Sequence, residues 1–91
     1  FTELDSLANW LISNPALEIQ ITGHTDNKGN EKDNNKLSSD RAASVKKYLL
    51  SKGPKNKIGS DGMGSSKPIA GNETESGRSK NRRVEFTITK Q

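Results

Sequence analysis

Two side chains of opposite charge, Asp26 and Arg41, stand 15 positions apart in a polar stretch that runs from Ile21 to Val45, ITGHTDNKGNEKDNNKLSSDRAASV. An arginine presents a planar donor fork that matches a carboxylate, and an aspartate presents acceptors to an ammonium group. Held at a fixed separation, the two would read a small ligand that carries both charges, such as an amino acid. The same pair could instead close a salt bridge across the loop, and spacing alone leaves both arrangements open.

Other chemistry in this stretch is less well supported. His24, Asp26 or Asp40, and Ser38 supply the residue types of a serine hydrolase, but no serine sits in a nucleophile-elbow pattern. His24 and Asp26 are too close in sequence, within a tight turn, to form a triad, which is defined by geometry. The simpler role for His24 is structural, its ring bonding loop backbone to hold the turn. One histidine and no cysteine make poor zinc ligands. Asp26-Asn27-Lys28-Gly29-Asn30 echoes a calcium loop, yet Lys28 puts a cation where a ligand should be. No metal or cofactor is therefore expected. The run Arg78 to Arg83, RSKNRR, has the composition of a phosphate-binding patch, and a basic nucleic-acid-binding module is the alternative function. Against it, the chain is only 4% aromatic, which leaves little to stack on bases.

The elements that must position Asp26 and Arg41 can be read from periodicity. Thr2 to Ser13 repeats Leu4, Leu7, Ala8, Leu11 and Ile12 at helical spacing and ends at Asn14-Pro15. Trp10 is expected to pack at the edge of the core. Leu17 to Thr22 alternates as a half-buried strand and delivers the chain through Gly23 to Asp26. A polar loop is expected to about Lys36. A second helix would then run from Ser38, as N-cap, to Lys52, stopped by Gly53-Pro54. That start places Arg41 near the first turn, where the positive helix end would help hold an anion. Ile58 to Gly64 suggests a brief strand, Ser65 to Lys80 a long loop, and Val84, Phe86 and Ile88 the buried face of a last strand.

At 91 residues and 27% hydrophobic content, the chain can bury only one modest core, so a single domain with long solvated loops is expected. The net charge of +4 permits an anionic partner without demanding one. No apolar run is long enough to span a bilayer, and no signal peptide or lipidation motif is present.

Taken together, ITGHTDNKGN, then Asn34-x-x-Leu-Ser-x-x-Arg-Ala-x-x-Val-x-x-x-Leu49, then GMG, Pro68, Asn72-x-Thr, Gly77-Arg78 and Asn81-Arg82-Arg83-Val-Glu-Phe resemble the OmpA-like C-terminal domain. That family includes peptidoglycan-associated lipoproteins and the periplasmic part of flagellar stator proteins. The resemblance spans essentially the whole chain, in several blocks at matching order and spacing. It implies an α+β fold of βαβαββ order, a two-layer sandwich with helices on one face of a small mixed sheet. It also implies a first strand ahead of the first helix. The chain, residues 1–91, is thus expected to be an N-terminally truncated domain whose open strand slot could exchange with another copy. It implies non-covalent binding of a peptidoglycan stem peptide at diaminopimelate, without catalysis, in the periplasm of a diderm bacterium. Any membrane contact would come through a segment outside this chain. Carried over by position, Asp26 matches the residue that holds the ligand's ammonium and Arg41 the one that grips its carboxylate. Thr25, Asn34 and Leu37 match residues that shape the pocket, and Arg82 or Arg83 match arginines beside it.

Overall fold

The computed structural model describes residues 2–90; Phe1 and Gln91, the two ends of the expected domain, lie outside them. The order is α1 (Thr2–Ser13), β1 (Leu17–His24), α2 (Glu31–Ser51), β2 (Ile58–Gly62), α3 (Glu75–Asn81) and β3 (Arg83–Lys90). The strands form a mixed sheet of order β2-β1-β3, with β1 central, parallel to β2 and antiparallel to β3. The architecture is α+β, as expected.

Strand alternation divides β1 between two environments. Ile19, Ile21 and Gly23 face α1 and α2, whereas Gln20, Thr22 and His24 lie on the opposite face. The core joins Ile19 and Ile21 to Ala8 and Leu11 of α1, Ala42 and Leu49 of α2, and Ile58 of β2, with Leu4, Leu7, Val45 and Val84 packed around them. Each fully buried Leu or Ile contributes on the order of 1.5–3 kcal/mol. Ile12 and Trp10 turn to solvent instead, because Leu4, Leu7, Ala8 and Leu11 already fill the core-facing stripe of α1.

Three further sequence expectations are corrected. The second helix begins seven residues before Ser38. Asn30 is its N-cap, its side-chain oxygen accepting from the Asp33 backbone N–H at 2.8 Å, and Glu31 and Asp33 lie in the first turn. The early turns lack an apolar stripe because Asn34 and Ser38 take the buried positions. Ser38 is therefore an interior helical residue and not the N-cap, and Leu37 before it is exposed. The expected loop from Ser65 to Lys80 contains α3, capped by Thr74 Oγ1, which accepts from the Gly77 N–H at 3.0 Å. Finally, β3 does not bury a full face. Phe86 and Ile88 pair opposite Ile21 and Ile19 yet stay 39% and 40% exposed, because β3 is an edge strand and α2 packs on β1 and β2.

The C-terminus of α2 matches expectation. Lys52 is the C-cap and Gly53 follows at φ +99°, a left-handed conformation that stops the helix.

Candidate ligand clamp at the end of the central strand

β1 ends at His24, and Thr25 and Asp26 continue from it into the loop that leads to α2. The Thr25 backbone N–H donates to Gly64 O at 2.8 Å, and the Met63 N–H donates to Gly23 O at 3.0 Å, so the end of β1 is tied to the segment after β2. Helix α2 lies directly over this junction. Ser38, fully buried, donates its hydroxyl to Asn35 O and accepts from the Gly64 N–H, both at 2.9 Å. With its oxygen committed on both sides, Ser38 is a packing residue and not a nucleophile. Gly23 and Gly62 supply the floor beneath it, since a Cβ at either would overlap Ser38.

Asp26 is 6% exposed and is held from three directions. Its Oδ1 accepts from the Lys28 backbone N–H at 3.0 Å, and its Oδ2 from Arg82 Nη1 at 2.7 Å. Its carbonyl accepts from Thr25 Oγ1 at 2.8 Å and from Asn34 Nδ2 at 3.4 Å. The Lys28 N–H, and after it Arg82, hold the carboxyl below its ordinary value of 3.8 against the opposing effect of burial. Asp26 is thus a fixed carboxylate, and each oxygen keeps lone-pair capacity for a ligand donor.

Of the residues expected at the site, the structure brings Thr25, Asp26, Asn34 and Arg82 into one bonded group. Arg82 also pairs with Glu75 of α3, an acidic partner in a segment whose sequence reads as loop. Leu37 and Arg41 share the α2 face of Asn34 by helical spacing and are exposed. Arg41 makes no hydrogen bond or salt bridge among the described residues, so the Asp26 partner is Arg82 and not Arg41. Nor is Arg41 near the helix start, because α2 begins at Glu31, and the helix end lends it no charge. Arg83 does not join the group. Its guanidinium donates to Glu85 Oε2 at 2.6 Å, Lys67 O at 2.9 Å and Asn81 O at 3.3 Å.

The arginines of the basic run are spent internally. Arg78 pairs with Glu75, Arg82 with Asp26 and Glu75, and Arg83 with Glu85. Two features escaped sequence reasoning. Asn81, fully buried, accepts from the Ile69 and Ala70 N–H groups at 2.7 and 3.0 Å and donates to Ala70 O and Asn72 Oδ1, which shapes the loop before α3. His24 does not bond loop backbone as expected. Among the described residues neither ring nitrogen has a hydrogen-bond partner, although Nε2 lies 3.5 Å from Glu85 Oε1. No periodicity signals either one.

A helix-covered mixed sheet thus carries a charged, backbone-anchored cluster at the end of its central strand. The chain belongs to the OmpA family, whose model matches residues 2–82. It is 43% identical over 86 residues to the peptidoglycan-binding protein ArfA of Mycobacterium tuberculosis, covering 93% of this chain and 26% of ArfA. The crystal structure of the peptidoglycan-associated lipoprotein from Burkholderia pseudomallei superposes with a TM-score of 0.90 at 30% identity, over 94% of this chain and 74% of that one. The C-terminal domain of Helicobacter pylori MotB superposes with a TM-score of 0.86 at 29% identity, over 99% of this chain and 71% of that one. The chain spans about a quarter to just over a third of the length of the first curated relatives it matches.

Proposed function

We propose that this chain binds peptidoglycan non-covalently, without catalysis, and so anchors an envelope protein to the cell wall on the periplasmic side. Asp26 would accept the ammonium of a diaminopimelate-type residue in the stem peptide, and Arg41 would grip its carboxylate. Thr25, Asn34 and Leu37 shape the pocket, and the Lys28 N–H, with Arg82 after it, keeps Asp26 ionised. Arg83 belongs at most to the margin of this site, since its donors are committed elsewhere. The observation that carries the reading is that Asp26 is anchored by the Lys28 N–H and Arg82 while Arg41, on the helix face of Asn34, makes no hydrogen bond or ion pair among the described residues. A charge fork held free on an exposed face suits a ligand carboxylate. Kinship with proteins named for peptidoglycan binding and association supports the choice of polymer.

The test is co-sedimentation with purified sacculi, wild type beside Asp26→Ala and Arg41→Ala, at low and high salt. Wild type should sediment at both, and each variant, folded by circular dichroism, should stay soluble. Equal sedimentation of all three, released by salt, would reduce the interaction to a basic protein meeting an anionic polymer. Competition by free diaminopimelate, with lysine as the weaker competitor, checks the third stem residue.

A further inference from the structure

The outer face of the sheet, turned away from α1 and α2, carries a second recess that the clamp does not use. Its volume is about 500 Å³, within the range of small-molecule sites. Thr22 and His24 of β1, Asp61 of β2, and Arg83 and Glu85 of β3 line it, and Met63, Pro68 and Ile69 add an apolar wall. Cross-strand register places Asp61 and Glu85 on either side of Thr22, and Arg83 opposite His24.

His24 sets this recess apart. The residue is 3% exposed, and among the described residues neither ring nitrogen makes a hydrogen bond, Nε2 standing 3.5 Å from Glu85 Oε1. A buried, unsatisfied polar group costs on the order of a hydrogen bond or more, so a ligand that satisfied it would be favoured. Burial, and after it the neighbouring Arg83, push the ring below its ordinary value of 6.5, so at neutral pH it offers one donor and one acceptor. Asp61 and Thr22 have uncommitted oxygens, making no side-chain hydrogen bond or salt bridge among the described residues, whereas Arg83 has spent its donors on Glu85, Asn81 and Lys67.

This inventory narrows the ligand. Asp61 and Glu85 disfavour a phosphate or carboxylate, and no Phe, Tyr or Trp lines the recess to stack a planar base. Among the described residues no group of three acidic or histidine side chains is placed to hold a metal ion. Lys67 on the rim and the guanidinium of Arg83 oppose a simple cation. What remains is a neutral ligand rich in hydroxyl donors along one edge and apolar on one face. The 62% exposed Ile69, with Pro68 and Met63, offers the surface for that face. We infer that the His24–Asp61 recess is a saccharide-binding site, separate from the stem-peptide clamp and on the other side of the sheet.

The experiment is amide-shift NMR on the full chain, titrated with diacetylchitobiose, with glycan strands stripped of their peptides, and with n-butylamine as a cation control. The inference expects saturable shifts at Thr22, Asp61 and Ile69 with a saccharide. Asp61→Asn should weaken binding about tenfold, the size of one charge-assisted hydrogen bond, and His24→Phe should do likewise while keeping the ring volume. Response to the glycan strands identifies the wall polymer as the source; response to the disaccharide alone identifies a free sugar. Absence of saturable shifts with either saccharide overturns the inference, as does tighter binding of butylamine at the same residues. If His24→Phe does not fold, Asp61→Asn on the exposed strand decides. Stem-peptide titration of Asp61→Asn should be unchanged at Asp26 and Arg41, so failure here and failure of the wall-anchor reading are told apart.

Discussion

Replacing Gly23 by alanine tests whether the clamp depends on the seat of α2. A Cβ built at Gly23 would overlap Ser38 O and stand 3.0 Å from Ser38 C and 3.2 Å from Ser38 Cα, all helix backbone. Ordinary carbon contacts lie at roughly 3.5–4.0 Å, so α2 must retreat by about 1 Å. Backbone cannot rotate aside as a side chain can. Overpacking of this kind costs about 1–3 kcal/mol, and each kcal/mol lowers Tm by about 4–8 °C in a domain of this size. The retreat also carries Asn34 away from Asp26 O, a contact already long at 3.4 Å, and Arg41 moves with the same helix. Thermal melts followed by circular dichroism should therefore show a clear fall in Tm, and the folded variant should bind sacculi more weakly. Gly53→Ala is the control. Nothing lies within 4 Å of its added Cβ, and only the φ of +99° resists substitution, so it should cost about 1 kcal/mol and leave binding intact. A Gly23→Ala protein that melts within a degree of wild type and binds equally would refute the reasoning.

Two further outcomes follow from buried polar groups. Asn81→Ala removes four hydrogen bonds from a fully buried side chain and should cost about 2–4 kcal/mol, with faster hydrogen exchange at Ile69 and Ala70; unchanged protection there would contradict it. Acid should destabilise the fold in two stages. His24 is depressed by burial and then by Arg83, and Asp26 by the Lys28 N–H and then by Arg82, so in each case the unfolded chain binds the proton more readily. The His24 contribution is fully present above its unfolded value of 6.5 and is lost as pH falls through the lower folded value. The Asp26 contribution is present above 3.8 and is lost below it in the same way. Urea midpoints should fall in that order on acidification, and His24→Phe should remove the upper stage only.

The parts of the fold legible in the sequence are those whose burial follows a simple period. Ile19 and Ile21 alternate, Leu4, Leu7, Ala8 and Leu11 recur at helical spacing, and β1 and α1 have the expected bounds or nearly so. The start of α2 was hidden because its buried positions are Asn34 and Ser38, chosen to bond Asp26 O and to fit over glycine, so the apolar signal is missing where the site is built. Helix α3 was hidden for a related reason: its buried residues are Gly77 and Asn81, neither of which reads as core. Arg82 could be nominated from resemblance, but its pairing with Asp26 spans 56 positions and no local pattern reports it.

The junction of α3 and β3 explains why a run of cations does not make a polyanion-binding surface. Such a surface needs its charges on one side of the molecule, where they can follow a phosphate backbone. Arg82 caps α3 and reaches Asp26 at the clamp, while Arg83 opens β3 and pairs with Glu85 on the outer face of the sheet. Adjacent residues in extended backbone point to opposite sides, so the same step that starts the strand separates the two guanidinium groups. Arg78 is drawn to Glu75 and to Asn72 O, and among the described residues Lys80 is the one cation of the run that makes no ion pair or side-chain hydrogen bond. The arginines work on carboxylates within the fold. One joins the Lys28 N–H in holding Asp26 as a carboxylate, and the other, by holding Glu85 and Lys67 O, shapes the recess beside His24.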